Sequence, residues 1–211
     1  TANSRFQVDA NQGYANDAHN FVCWAWRAGG SPSGATSATG SAKRINSNGT
    51  QDDTSCSALA TAASNAGASN VITPTLMSIN QKSGFSITKY EGNSPTSSVS
   101  YTSTLPHGLL KTPEFIIIKG LSGSGTTGTG SSFNMSSGSA WIVRHVSTGL
   151  NSLQLDNAGA VYTSTNNWKG VNSTVVSLGV DSWLNCSGVN YIAYCWHSVE
   201  GYSAFGSYTG N

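Results

Sequence analysis

At 211 residues the chain is long enough to bury a core, and ten Lys and Arg against nine Asp and Glu leave it a net charge of +1 at pH 7. Only 9% of its residues are charged, against roughly 25% in an average globular protein, so its polarity rests on Ser, Thr, Asn and Gly. The scattered basic residues exclude the stripe that nucleic-acid binding requires, and no run of about 18 apolar residues is present to insert into a membrane.

In chain order, the first structured pattern is Asn20-Phe-Val-Cys-Trp-Ala-Trp26, and it returns as Asn190-Tyr-Ile-Ala-Tyr-Cys-Trp196. Gly84-Phe-Ser-Ile-Thr-Lys-Tyr-Glu-Gly-Asn93 is likewise echoed by Gly201-Tyr-Ser-Ala-Phe-Gly-Ser-Tyr-Thr-Gly-Asn211. Self-similarity in a consistent order points to a repeat-built protein. It predicts a unit-ending strand over 20–27, followed within segment 1–83 by a Gly/Ser/Ala-rich insertion. A complete sandwich unit then occupies 84–200 and a unit-starting strand 201–211, all within one compact domain. As part of such an array, the chain is expected to be a piece of something longer.

Helical periodicity is poor, and residues 57–66 are the one short helix it supports. Short runs of β-branched and aromatic residues predict strands over 21–27, 86–90, 115–119, 141–146, 154–155, 174–178, 191–198 and 205–209. Phe115-Ile-Ile-Ile-Lys119 is continuously apolar, as suits a central strand covered on both faces. The two prolines and the glycine of Pro106-His-Gly-Leu-Leu-Lys-Thr-Pro113 mark a turn. Residues 120–138, rich in Gly, Ser and Thr, read as a long loop. Many short strands with turns between them predict an all-β, antiparallel sandwich with at most one short helix.

Several phrases together resemble a repeat-domain family of marine and cyanobacterial phage tail-fibre-like and virion surface proteins, often found beside concanavalin-like modules. They are Gly84-Phe-Ser-Ile, Pro106-His-Gly-Leu109, Pro113-Glu-Phe-Ile-Ile-Ile-Lys119, Trp141-Ile-Val-Arg-His145 and, most specific, the run from Asn190 to Asn211. The resemblance implies a jelly-roll or concanavalin-like sandwich in a virion structural protein (tail fibre, tail-associated protein or capsid decoration) at the virion surface or outside the cell. Its partners would be copies of itself and other virion proteins.

No pattern for catalysis emerges, so the chain is read as a non-enzyme without cofactor or metal. His107 and His145, at a turn and a strand end, and His197 after Trp196, are expected to hydrogen-bond backbone carbonyls. Asp52-Asp53 is the one adjacent acidic pair; neighbouring strand side chains face opposite ways, so it suits a solvated turn better than the facing carboxylates of a glycosidase. A polysaccharide-degrading enzyme is therefore the weakest alternative. Asn166-Asn167-Trp168 and Asp181-Ser-Trp183 combine an aromatic platform with amide and carboxylate rims in predicted loops, and make a host-glycan-binding module the main alternative. Assembly through shared strands would use Phe21, Val22, Cys23, Trp24, Phe205 and Tyr208, because edge strands expose unpaired backbone groups. Cys23 and Cys195 are expected to be small buried apolar residues. Cys56 and Cys186, in polar turn-like contexts, are a candidate surface disulfide in an oxidising compartment.

Overall fold

A computed structural model describes residues 20, 23–34, 36–95, 100–126, 130, 132–135 and 140–210. Its described strands form two sheets packed face to face, so the chain is an all-β sandwich. The strands of the large sheet are β1 (Ser41–Ile45), β2 (Thr54–Ser55), β3 (Leu76–Asn80), β4 (Phe85–Glu91), β6 (Phe115–Thr126), β7 (Ser132–Asn134), β8 (Trp141–His145), β9 (Leu153–Gln154) and β12 (Val189–Trp196). Their order is β2-β1-β3-β4-β12-β6-β8-β9, with β7 pairing the far end of β6. The small sheet has the order β10 (Trp168–Val171), β11 (Val175–Leu178), β5 (Ser103–Pro106). Pairing is antiparallel except between β1 and β3, which run parallel.

Sequence alternation explains the layering. Across the large sheet the register aligns Ile79, Ser86, Cys195, Ile116 and Arg144 in one inward row, and Met77, Thr88, Ala193, Ile118 and Ile142 in the next. These rows meet Leu105, Val176, Leu178 and Trp168 of the small sheet in a single core. As expected of a doubly covered strand, β6 is central, and Ile116 and Ile118 are fully buried.

The predicted helix is α1 (Cys56–Asn65), started by Ser55, whose Oγ accepts from the Ala58 amide; such a cap contributes about 1 kcal/mol. It buries Cys56, Ala60 and Ala63. A second helix of a single turn, α2 (Ser182–Asn185), is capped by Asp181. It is too short for any periodic signal.

Four expectations need correction. Residues 23–30 and 203–210 form no strand, so the early and late echoes of β12 and β4 are not equivalent strands. Segment 41–80 is no insertion, because β1, β3 and α1 build the same sheet and core, and a boundary at 83/84 would cut the β3–β4 hairpin. Residues 120–138 are not simply a loop: β6 continues to Thr126 and pairs with β7. Glycine permits this, since a Cβ on Gly125 would stand 1.9 Å from the Ser187 carbonyl oxygen. The Cys56–Cys186 disulfide is absent, and both are free thiols fully buried in the core. Ser57 and Ser187 beside them are exposed, while Asn185 is itself buried and spends its amide on Ser103 and Gly179, and burial pushes the Cys56 thiol up to about 11.

Candidate functional site: the outer face of the large sheet

In a two-layer sandwich the outward rows of a sheet are ordinarily polar. Here they are not. The outermost row reads Phe85, Trp196, Phe115, His145 from β4 to β8, the next Ile87, Tyr194, Ile117, Val143 and Leu153, and the third Lys89, Ile192, Lys119 and Trp141. Phe85 stacks on Trp196 at 4.9 Å, Trp196 meets Phe115 at 5.3 Å and Tyr194 at 6.1 Å, and the Lys119 ammonium lies 5.4 Å from the Trp141 ring. Phe85, Ile117, Val143 and Trp196, with Ile87, Phe115, Trp141, Leu153 and Tyr194 packed against them, form a second apolar cluster on the side of the sheet opposite the sandwich core.

Two irregular segments lie over this face. From the C-terminal side, Phe205 stacks on Phe115 at 5.7 Å. Its entry is held by Ser198, whose Oγ donates to Glu114 (2.5 Å) and accepts from the Phe205 amide (3.3 Å). From the N-terminal side, Trp26 meets Trp196 at 5.5 Å and Phe85 at 6.2 Å, and Trp24 meets Trp26 edge-on. Between the two, Ile87, Ile192, Tyr194, Lys119 and Trp141 are only half buried.

The N-terminal segment is bound through its carbonyls instead of a β-ladder. Asn80 Nδ2 donates to the Arg27 carbonyl (3.0 Å), as does Ser83 Oγ (3.2 Å). Ser78 Oγ donates to the Gly30 carbonyl (2.7 Å), and Gln51 Nε2 to that of Gly29 (3.3 Å). Ser78 and Asn80 are two apart on β3 and therefore share its outer face. Grooves of about 430 Å³ and 490 Å³ flank the segment, the first lined by Arg27, Asn80, Lys82 and Tyr202, the second by Ala28, Pro32, Leu76, Ile87 and Ile192.

Of the predicted assembly residues, Phe21 and Val22 lie outside the described residues. Cys23 and Trp24 are exposed, with Trp24 at 77%. Cys23 is thus not the buried residue expected; only its later counterpart Cys195 is, and burial pushes that thiol up to about 12. Phe205 contacts the face and Tyr208 is 94% exposed, neither within a strand. The echo of Asn20–Trp26 in β12 therefore corresponds to contact, Trp26 against Trp196, and not to equivalent positions.

The predicted glycan residues do come together, but as an internal knot. The Asn166 carbonyl accepts from the Asp181 amide (3.0 Å) and the Asn167 carbonyl from the Gly179 amide (2.6 Å). Trp168 is 2% exposed and donates its Nε1–H to Ser152 Oγ at 2.9 Å. Asn167 is fully buried and donates to Ser152 Oγ and to the Tyr162 hydroxyl. Asp181 caps α2 by accepting from the Trp183 amide (2.8 Å), and burial raises its carboxyl to about 6. Trp183 packs edge-on against Phe133. The Trp168 ring, enclosed in this way, offers no platform to a sugar, and Trp168 begins β10 rather than lying in a loop.

The remaining polar candidates have structural partners. His107 Nε2 bonds the Asn172 carbonyl (3.1 Å), its Nδ1 accepts from the Leu109 amide, and burial lowers its pKa to about 4. His197 bonds the Ser198 carbonyl, whereas His145 bonds Ser147 and caps a turn of 3-10 helix. Asp52 pairs with Arg44 (2.6 Å) and Asp53 with Lys43. Among the described residues no cluster of three His, Cys, Asp or Glu could hold a metal ion, and no helix is long and apolar enough to cross a membrane.

What the outer face offers is apolar area, aromatic edges and a few hydrogen-bond donors at its rim, the composition of an interaction surface. Its signal is present in the sequence as apolar residues at both alternations of β12 and of the first half of β6. The carbonyl-binding role of Ser78 and Asn80 had none, since β3 was not predicted.

Comparison with known proteins found no match among curated proteins and none among solved structures. A family model does match residues 38–211, which include every strand of both sheets. The chain belongs to that family, described as a domain of unknown function, DUF7483.

Proposed function

We propose that the protein is a structural β-sandwich module that works by assembly, using the outer face of its large sheet to contact further copies of itself or neighbouring proteins. The observation that carries this is an outer face with two aromatic and apolar rows bordered by a mixed one, over which the described segments leave Tyr194, Ile192 and Trp141 half buried and Trp24 and Trp26 exposed at 77% and 47%. Contiguous apolar surface of this kind marks an interaction site in a soluble protein. The low charge and the Ser/Thr/Asn-rich remainder suit a protein of an extracellular or virion exterior. The phage-surface setting rests on the sequence resemblance between residues 84 and 211.

Sedimentation over a wide concentration range tests the reading. The expected result is self-association that Tyr194→Arg weakens at least tenfold, because a cation placed in the middle row must be desolvated at the interface. A strict monomer at millimolar concentration overturns it. Glycan binding is favoured by a different observation, the exposed ring of Tyr202 lining the 430 Å³ groove beside Asn80 and Lys82. Glycan-array binding lost in Tyr202→Ala would favour that reading over assembly.

A further inference from the structure

The N-terminal segment and the surface beneath it have the properties of a ligand and its receptor. The ligand is residues 24–30, Trp-Ala-Trp-Arg-Ala-Gly-Gly. It is held by three backbone carbonyls, each reached by a side chain from the family domain: Arg27 by Asn80 and Ser83, Gly29 by Gln51, and Gly30 by Ser78. It is also read by shape. A Cβ at position 29 would stand 2.2 Å from the Ile79 carbonyl oxygen and 2.3 Å from that of Lys43, so only glycine can lie across the β1–β3 pair. Gly30 adopts φ +118, which L side chains rarely take. Trp26 supplies the anchor, seated against Phe85 and Trp196.

We propose that this surface is a peptide-docking groove specific for a Trp-Arg-x-Gly-Gly segment, and that the segment can be supplied by a second copy of the chain. The structure shows it filled from within one chain. The groove residues Gln51, Ser78, Asn80, Ser83, Phe85 and Trp196 all fall inside the 38–211 family match, whereas the bound segment lies wholly before it. A receptor complete within the family domain and a ligand outside it can be joined in cis or in trans. Exchanging an element between identical chains creates a link without a new interface, since each groove regains the contacts it lost. Ten residues separate Gly30 from Ser41 at the start of β1; extended, they reach about 33 Å, enough to carry the segment to a neighbouring molecule.

The inference deepens the assembly reading but is tested separately. Gly29→Leu in the full chain expels the segment and leaves the groove empty. A dye-labelled peptide of residues 23–32, with Cys23→Ser, is expected to bind this variant at least tenfold more tightly than wild type, whose own segment competes. Binding should fall tenfold or more when Ser78→Ala and Asn80→Ala are added, and the peptide carrying Gly29→Leu should not bind. Equal binding with and without the groove substitutions, or no binding, overturns the proposal. Should Gly29→Leu fail to fold, wild type labelled at exposed Cys23, the other cysteines being buried, is titrated with unlabelled peptide. A saturable change in dye emission supports displacement, and a flat titration overturns it. A monomer that binds the peptide sinks assembly and the supply of the segment by a second copy, keeping the groove alone, while a self-associating chain that ignores the peptide keeps assembly and sinks the groove.

Discussion

Ser152 shows how one small side chain can organise a buried polar knot. Its Oγ accepts from Trp168 Nε1 and from Asn167 Nδ2, and it is itself fully buried. Replacing it with Ala leaves a buried indole N–H without its partner and removes one of two acceptors from Asn167. Each orphaned donor costs about 1–3 kcal/mol, so Ser152→Ala is expected to lose about 2–3 kcal/mol in urea unfolding. A loss under 0.5 kcal/mol would mean that water replaces the hydroxyl. The five residues that composition marked as a sugar site owe their polarity to this knot and to the cap of α2. Spacing cannot distinguish an Asn-Asn-Trp that faces solvent from one that satisfies its amides internally.

At the scale of elements, α2 depends on two stacked tyrosines of adjacent strands. Tyr90 on β4 and Tyr191 on β12 face each other at 5.3 Å in the inner layer. The Tyr90 hydroxyl donates to the Leu184 carbonyl, the Tyr191 hydroxyl donates to that of Ser182, and Tyr191 also accepts from the Cys186 amide. Burial raises both phenols well above their ordinary range, so they remain neutral donors. A four-residue helix cannot stand on its own hydrogen bonds. Tyr191→Phe is therefore expected to cost about 2 kcal/mol, since it unpairs an amide and a carbonyl, and to speed amide exchange over α2 more than over β4. Uniform acceleration across both would show global destabilisation instead. Strands with continuous apolar runs, β6, β8 and β12, were legible from sequence. Those made of mixed small residues, β1, β3 and β5, were not: Ser-Ala-Lys-Arg-Ile, Leu-Met-Ser-Ile-Asn and Ser-Thr-Leu-Pro become strands because neighbours supply their ladders and cover.

For the whole molecule, pH acts through two buried groups of opposite effect. His107 titrates near 6.5 when unfolded and about 4 when folded, because burial disfavours its cation. Its contribution is complete above pH 6.5 and is lost as pH falls toward 4. Asp181 has its carboxyl raised from 3.8 to about 6 by burial, so its contribution is complete below 3.8 and is lost as pH rises through 6. Between pH 4 and 6 the two oppose each other and flatten the stability profile. Asp181→Asn retains a helix-capping acceptor and removes the buried charge. It is expected to raise stability at pH 7.5 by about 1–2 kcal/mol and to expose the His107 slope, a fall of about 2 kcal/mol from pH 7 to 5. A profile unchanged by the substitution would show that the Asp181 carboxylate is solvated.

Composition and alternation by themselves determined that this is an all-β sandwich with a central strand at 115–119 and a helix at 57–66, because burial of alternating or continuous apolar residues is a local, periodic property of the chain. Only the tertiary structure decided which aromatic residues face inward, and the difference is long-range. The Trp of Asn-Asn-Trp168 enters the core once Ser152 is beside it, and Trp26 meets Trp196 across 170 positions of sequence. The matching phrases read as repeated strands, yet one is β12, paired between β4 and β6, and the described Trp24 and Trp26 of the other lie over the outer face of that sheet. A β-strand requires a neighbour's ladder; residues 27–30 instead find their hydrogen bonds in the side chains of Gln51, Ser78, Asn80 and Ser83, a choice that no local pattern records.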